Sequence, residues 1–276
     1  MNWTLIFSFF RTLSLAHLER SLYSLSRQTV KPSHLLFFDN NSPYTVAEIE
    51  SVIAKYWTVD LWSRHYAKHG DGSKTLAWGN NQAIRLCDTE IFMFCRADYI
   101  YDFRFFERML WEYADNPMHY ATAWMWGMQY FSDATHITED HAADLEPLNW
   151  RDNPQNLLAH SVGARPERAS HVDGPTFCTS KKAMAAGGWY DETLTGWGFD
   201  QQDLQSHMAR NGVQMRVIPE FLYFHMEHAG ARDMVRAKEV WLRSPRRVPE
   251  ILAEEARLKA LEKPQPTRPR SWWRLR

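Results

Sequence analysis

Long hydrophobic runs alternate with segments of helical periodicity over the first hundred residues. Residues 3–10 (WTLIFSFF) and 34–38 (HLLFF) are typical of strands buried on both faces of a parallel sheet. Between them, leucines recur at helical spacing at Leu15, Leu18, Leu22 and Leu25. The same alternation continues and predicts a helix over about 45–55, a strand over 58–62, a helix ending near residue 87 and a strand over 90–95.

This alternation of strand and helix determines the expected fold class. It predicts βαβ units, in which parallel strands are joined by right-handed crossovers. We therefore expect an α/β fold with a mostly parallel sheet flanked by helices. The first hundred residues would form half of a nucleotide-binding sheet, with the ligand at the carboxyl ends of the strands.

The remainder of the chain is less regular. Residues 112–170 contain tryptophans, histidines and scattered prolines, and we interpret them as further strands with a long loop that forms an insert or a lid. The elements predicted after this segment are helices over 180–186 and 200–210 and strands over 213–218 and 221–224.

The C-terminal part has a different composition from the domain before it. From about residue 248 the pattern is that of a charged amphipathic helix, followed by a Pro- and Arg-rich end. We therefore divide the chain into a domain, 1–247, and a helix with a basic tail, 248–276. In the tail, arginines and two tryptophans lie close together, which suggests contact with an anionic membrane surface through 264–276 or, alternatively, a disordered end.

Composition and charge exclude several classes of protein. Of 276 residues, 45% are hydrophobic and 24% charged, as in globular proteins with a sizeable core. Lys and Arg number 32 against 33 Asp and Glu, so nucleic acid is not expected as the main partner. We expect a cytoplasmic protein, with peripheral attachment to the inner membrane face as the alternative.

Several short motifs that contain candidate catalytic and ligand-binding residues follow one another along the chain. They are Gln28-Thr29, Asp39-Asn40-Asn41-Ser42, Asn81, Arg96-Ala97-Asp98, Gly187-Gly188-Trp189-Tyr190-Asp191-Glu192, Gly196-Trp197-Gly198-Phe199-Asp200-Gln201-Gln202-Asp203-Leu204 and His225. In this order and spacing they resemble the motifs of GT-A-fold, family 2-like glycosyltransferases. The segment from Gly196 resembles the WG-x-[ED]-D element of galactosyltransferase-like members.

The resemblance implies a role for each matched residue. Asp39 would contact the base of a nucleotide sugar, with Asn81 also on the donor side. Asp98, at the end of the DxD element, and His225 would hold Mn²⁺ or Mg²⁺, which neutralises the departing diphosphate. Asp200 would activate the acceptor hydroxyl, with Asp203 assisting. The remaining candidates are Arg11 and Lys74 near the diphosphate, and Trp189 and Trp197 as a sugar-stacking wall.

Two residues depart from the family pattern. Arg96 stands where the first acid of DxD is usual, and it could pair with the diphosphate or repel the metal. Gln201 replaces the second acid of the ED pair and has no titratable proton, which leaves Asp200 as the base and makes retention of configuration an alternative to inversion. These departures keep open a non-catalytic protein that binds a nucleotide sugar or glycan.

Each candidate also has a purely structural interpretation. Asp98 would cap a turn at a strand end, Asp39 would close an Asx-turn, and Asp200 would be a plain N-cap. His225 would be an interior histidine, and the tryptophans would belong to the core.

The function expected from the sequence is a metal-assisted transferase, inverting at the sugar. It would move a sugar from a nucleotide-diphosphate sugar, UDP being expected because the resembled subgroup mostly uses it, to a hydroxyl on a glycan or lipid-linked oligosaccharide in polysaccharide biosynthesis. A transferase acting on modified DNA is a further alternative, which the neutral charge weakens and the basic tail supports.

Overall fold

The computed structural model describes residues 1–10, 13–57, 64–68, 76–127, 176–194 and 200–225. Within these ranges the strands are Trp3–Phe10 (β1), His34–Asn40 (β2), Arg64–Lys68 (β3), Ile91–Arg96 (β4), Tyr99–Tyr101 (β5), His119–Gly127 (β6), Phe177–Ser180 (β7) and Gln214–His225 (β8). The helices are Leu15–Ser26 (α1), Val46–Ile53 (α2), Leu76–Leu86 (α3), Phe105–Tyr113 (α4), Lys181–Ala186 (α5) and Asp200–Arg210 (α6).

The described strands form one mixed sheet in the order β3-β2-β1-β4-β7-β6-β8-β5. Its first half is parallel, since β1 pairs in parallel with β2 and β4, and β2 with β3. In the second half β7 runs antiparallel to both β4 and β6, and β5 antiparallel to β8. Only β6 and β8 are parallel there. The predicted α/β class and the mostly parallel sheet are confirmed.

Helices cover both faces of the sheet, which explains why all eight residues of β1 are buried and why all but Thr4 and Ser8 are apolar. On one face Trp3, Leu5, Phe7 and Phe9 pack in a cluster with the buried residues of α1, α2 and α4. On the other face Ile6 packs in a second cluster with residues of α3, α5 and α6. Alternate residues of a strand point to opposite faces, so a strand covered on both sides needs no polar face.

Local capping fixes where several helices begin. Ser14 accepts a hydrogen bond from the His17 backbone at the start of α1, and Thr45 with Glu48 forms a reciprocal capping box at the start of α2. Ser180 accepts from the Ala183 N–H at 2.9 Å and so begins α5. Such caps satisfy backbone donors that have no partner inside the helix.

The elements of the first hundred residues agree with their predictions, with one difference. The predicted strand over 58–62 lies outside the described residues, and the strand in this region, β3, is Arg64–Lys68. The helix predicted over 45–55 is α2, and the strand predicted over 90–95 is β4.

Beyond residue 170, the predicted helices over 180–186 and 200–210 correspond to α5 and α6. The two strands predicted over 213–218 and 221–224 are a single strand, β8, which pairs with β6 along its length. The interruption in the sequence pattern is a bulge, at which the register shifts from Ala123↔Ile218 to Trp124↔Phe221. The residues between include Pro219, which has no N–H for the ladder. The helix expected from 248 and its tail lie outside the described residues. No helix within the described ranges combines the length and hydropathy needed to cross a bilayer.

Candidate functional site

The carboxyl ends of β1, β2 and β4 meet at one edge of the sheet. The strand register pairs Phe9 with Asp39 on one side of β1 and Ser8 with Arg96 on the other. The Ala97 N–H donates to the Ser8 carbonyl at 2.9 Å, which carries β4 on past the edge towards Asp98. Two of the sequence-predicted donor residues, Asp39 and Arg96, therefore flank the end of the central strand.

Asp39 is fully buried and closes the turn that follows β2. Its Oδ1 accepts from the Ser42 N–H at 2.8 Å, and its Oδ2 accepts from the Ser42 hydroxyl at 2.9 Å. Asn41 within this turn has φ 60°, a left-handed conformation that Asn tolerates better than most residues. The Asp39 side chain thus has the turn-closing role of its structural interpretation, although its bond to the backbone spans three residues instead of the two of an Asx-turn, and contact with a base remains a prediction.

Arg96 and Asp98 form a buried, two-pronged ion pair. Arg96 Nε donates to Asp98 Oδ1 at 3.0 Å, and Nη2 donates to Oδ2 at 2.6 Å. Asp98 is 0% exposed and Arg96 8%. Charge-assisted pairs of this fork geometry are among the strongest hydrogen-bonded contacts in proteins.

The rest of Arg96 is also held in place. Its guanidinium carbon lies 4.9 Å from the ring centroid of Phe10 and 5.6 Å from that of Tyr99. The Arg96 N–H donates to the Tyr101 hydroxyl at 2.8 Å, and that hydroxyl donates to the Arg96 carbonyl at 2.9 Å. The cation is therefore fixed by its backbone, two rings and a carboxylate.

The backbone brings the second predicted metal ligand close to the first. In the β5–β8 pairing, His225 stands opposite Tyr99, the residue after Asp98. A divalent cation at Asp98, however, would compete with Arg96 for both carboxylate oxygens, and removing one partner of a buried pair costs several kcal/mol. Asp98 as arranged therefore does not fit such an ion. Among the residues described, no group of three or more His, Cys, Asp or Glu is placed to hold a metal.

The turn 187–192 has special backbone requirements at its glycines. A Cβ at Gly187 would overlap the Met208 side chain of α6, so a glycine is needed for the end of α5 to pack there. Gly188 and Trp189 have φ of 72° and 65°, and the Trp189 N–H donates to the Met184 carbonyl at 3.0 Å, which ends α5. The GG-aromatic part of the motif therefore shapes a tight helix end.

Asn81, on α3, clamps this turn. Its Nδ2 donates to the Tyr190 carbonyl at 3.0 Å and to Glu192 Oε1 at 2.8 Å. Its Oδ1 accepts from the Tyr190 N–H at 3.1 Å. Asn81 is 1% exposed, and both ends of its amide hold the turn. Its contact with the donor remains a prediction.

Trp189 is partly buried against the end of α3. The Arg85 guanidinium carbon lies 5.3 Å from a Trp189 ring centroid, and Arg85 also pairs with Glu192 at 3.4 Å. α3 links the parallel strands β3 and β4, so it runs from the carboxyl edge of the sheet back towards the amino ends of the strands. Arg85, four residues after Asn81 on α3, therefore lies one turn further from the carboxyl edge. This places Trp189 at the far side of the turn, and its role as a sugar wall remains a prediction.

The two candidate acids of α6 differ in exposure. Asp200 begins the helix and is half-buried, whereas Asp203 is 0% exposed and has its Oδ1 3.9 Å from His207 Nε2. The helix N-terminus places a partial positive charge beside Asp200 and favours its ionised form. Asp200 is therefore the more accessible of the two acids.

Gln201, the residue that departs from the ED pair, joins two buried tyrosines. Its Oε1 accepts from the Tyr190 hydroxyl at 2.8 Å, and its Nε2 donates to the Tyr120 hydroxyl at 2.8 Å. The Tyr120 ring stacks on Phe177 with centroids 4.7 Å apart. An amide can donate and accept at once, which an ionised carboxylate cannot. The sequence identified Gln201 only as a lost acid, and the two tyrosines carried no signal of their own.

The hydroxyl of Tyr190 is buried beside the first turn of α6, where it donates to Gln201. Burial raises the pKa of its hydroxyl well above the usual value, with smaller contributions of the same sign from Tyr120 and Asp200. The hydrogen bond with Gln201 and the charge of Arg96 lower that pKa.

Three predicted site residues, Arg11, Lys74 and Trp197, lie outside the described residues, as does the tail 264–276. Of the predicted constellation, the structure groups Asp39, Arg96 and Asp98 at the sheet edge. Asp200 begins α6, whose Gln201 accepts a hydrogen bond from Tyr190 of the turn 187–192.

Comparison with known sequences and structures gives a consistent picture. A family model described as Glycosyl transferase family 2 matches residues 6–168, more than half of the chain. No curated protein matches the sequence.

Solved structures share the fold at low sequence identity. S. aureus TarS 1–349 in complex with UDP-GlcNAc superposes with a TM-score of 0.57 and 12% identity, over 84% of this chain and 60% of that one. TarS 1–349 in complex with UDP gives 0.56 and 12%, over 89% and 67%. GalNAc-T7 with UDP, GalNAc and Mn²⁺ gives 0.58 and 12%, over 88% and 48%. The fold is GT-A, and the chain spans 60% of the first of these proteins and about half of the last.

Proposed function

The chain belongs to glycosyl transferase family 2, and on that premise we propose that it moves a sugar from a UDP-sugar to a hydroxyl of a glycan or a lipid-linked oligosaccharide. The observation that carries this proposal is the grouping at the sheet edge. Asp39 and the Arg96–Asp98 pair flank the end of β1.

The donor would lie along this edge with its two ends recognised differently. The carboxylate of Asp39, at the end of β2, would accept from the N–H of the uracil ring, while the diphosphate would lie towards Arg96. Ligands of parallel α/β sheets bind outside the carboxyl ends of the strands. Complexes of TarS with UDP-GlcNAc and with UDP support a uridine nucleotide as the first donor to test.

The transfer breaks one bond and forms one. The bond between the anomeric carbon and the β-phosphate oxygen breaks, and its electron pair leaves with UDP. The acceptor oxygen forms the new bond to the anomeric carbon and gives its proton to the carboxylate of Asp200. Attack from the side opposite to UDP inverts the configuration. A positioned base of this kind contributes about 10²–10⁴-fold to rate.

The finer parts of the function are predictions of different kinds. Assistance by Mn²⁺ or Mg²⁺ requires that Arg96 first release Asp98. A glycan or lipid-linked acceptor, a role in polysaccharide biosynthesis and peripheral contact with the cytoplasmic membrane face through 264–276 rest on the family resemblance and the tail composition alone.

A donor panel tests the proposal. UDP-, GDP- and dTDP-sugars are incubated with the protein, and thermal stability and release of nucleotide diphosphate are measured. A donor at 100 times its Kd stabilises the fold by about 2.7 kcal/mol, and we expect UDP-sugars to do so. Asp39→Ala should lose the preference for UDP over the other nucleotides. Stabilisation by UDP-sugars with no release, even with glycan acceptors present, would favour the non-catalytic binding protein.

A further inference from the structure

The Arg96–Asp98 pair occupies the position where the family pattern predicts a metal ligand, and this has a consequence for donor binding. Both oxygens of Asp98 accept from one guanidinium, at 3.0 Å and 2.6 Å, and the pair is shielded from water. The carboxylate therefore already has a cation in contact, supplied by the chain itself.

Resting on the function proposed above, we propose that the Arg96 guanidinium replaces the divalent cation and binds the donor diphosphate directly, so that donor binding needs no metal. Asp98 then acts as a positioning residue that holds the guanidinium, instead of a metal ligand.

The geometry suits a fixed phosphate-binding arginine. A guanidinium has five N–H donors in a rigid fork, and the edge facing Asp98 uses Nε and Nη2. The ring centroids of Phe10 and Tyr99 lie 4.9 Å and 5.6 Å from the guanidinium carbon, and Tyr101 and Ser21 form hydrogen bonds with the Arg96 backbone. Little side-chain freedom remains to be lost when a phosphate binds, and this lowers the entropic cost of binding.

Charge arithmetic gives the proposal a distinct signature. A divalent cation on an ionised Asp98 would leave one net positive charge, whereas Arg96 on Asp98 leaves none. Recognition must therefore depend on directed N–H donors, for which Lys is a poor substitute, since it lacks the planar fork. Arg96→Lys should consequently fail even though it keeps the charge.

The first test uses the unaltered protein. It is dialysed against EDTA, its metal content is checked, and UDP and uridine are titrated by calorimetry in EDTA and again in Mn²⁺. We expect UDP to bind with the same affinity, within about twofold, in both buffers. UDP binding that appears only with Mn²⁺ or Mg²⁺ would overturn the inference and leave the proposed function standing. If UDP binds in neither buffer, the proposed transfer from a UDP-sugar fails and the inference with it.

Variants then test the guanidinium itself. Arg96→Ala leaves Asp98 buried without its partner and is at risk of unfolding, so the main variant is Arg96→Gln/Asp98→Asn, which removes both charges together. Loss of hydrogen bonds to a charged group predicts about 10- to 100-fold weaker UDP binding in EDTA, with uridine affinity unchanged. Equal weakening of UDP and uridine, or wild-type UDP affinity, would overturn the assignment. Arg216→Ala, which breaks a surface ion pair with Glu112, is the matched control and should bind UDP as the wild type does.

Discussion

The hydrogen bonds of Asn81 predict a large loss of stability when its side chain is removed. Asn81→Ala deletes the donor to the Tyr190 carbonyl and the acceptor from the Tyr190 N–H, and Tyr190 is 3% exposed. Each buried backbone group left without a partner costs about 1–3 kcal/mol. The bond to Glu192, which is partly exposed, adds little. The expected total is about 2–6 kcal/mol, a Tm decrease of roughly 4–24 °C for a domain of this size.

Two further variants of α3 sharpen this measurement, which is made by differential scanning calorimetry. Asn81→Asp keeps the acceptor for the Tyr190 N–H but turns the donor into an oxygen facing two other oxygens, so it should be at least as damaging as alanine. Asn80→Ala is the matched control, since Asn80 is 5% exposed and its Oδ1 has no hydrogen-bond partner among the described residues. We expect it to cost less than about 1 kcal/mol. A Tm for Asn81→Ala within 2 °C of wild type, together with a raised donor KM, would refute the clamp and support a donor contact.

Further predictions concern the base, the tail and the buried tyrosines. Asp200→Asn should lower kcat by about 10²-fold or more with little change in donor affinity, and Asp203→Asn should raise the acceptor KM more than it lowers kcat; steady-state kinetics showing the opposite pattern would exchange their roles. Deleting 264–276 should leave turnover on a soluble acceptor unchanged and reduce binding to anionic vesicles in a sedimentation assay, and equal sedimentation would reject membrane contact. Burial raises the pKa of Tyr101 and of Tyr190 in the folded state. Above about pH 10 the unfolded chain therefore loses these two protons while the folded protein keeps them, and the free energy of unfolding falls as pH rises. The fall is at most about 1.4 kcal/mol per pH unit for each group. Urea midpoints that stay constant up to pH 11 would contradict this.

The sequence was most informative where burial is symmetrical. β1 and β2 lie in the parallel half of the sheet with helices on both faces, and their short, mostly apolar runs are typical of strands buried on both sides. By contrast, β5 has three residues and β7 four, too few to establish a period of two. β8 was predicted as two strands because Pro219 interrupts the run, and only the pairing with β6 shows that the strand continues past the bulge.

One helix was missed although its signal was present. Phe105, Phe106, Met109 and Tyr113 form the buried face of α4 at spacings of three and four residues, the pattern of an amphipathic helix. The aromatic residues of this segment are also compatible with strand, and no capping side chain marks the start at Arg104. The preference for strand that aromatic residues carry obscured the helical period.

For the candidate site, the sequence identified several of the residues but not the contacts that they make. Motif order selected Asp39, Arg96 and Asp98, which the fold brings to one edge. The contact between Asn81 and Tyr190 joins residues 109 positions apart, and no local pattern encodes such a pair. The pairing of Arg96 with Asp98 was open to prediction, since residues two apart at a strand end share a side, but whether the arginine faces its neighbour or a ligand depends on the surrounding packing.

The most direct measurement of the central claim is a crystal structure of the protein with bound UDP. The account predicts the uracil within hydrogen-bonding distance of Asp39 at the end of β2 and the diphosphate beside the Arg96 guanidinium at the end of β4. Asp200 should lie across the donor-sugar position from the β-phosphate. UDP bound elsewhere on the protein, or a diphosphate that lies away from Arg96 and Asp98, would contradict it.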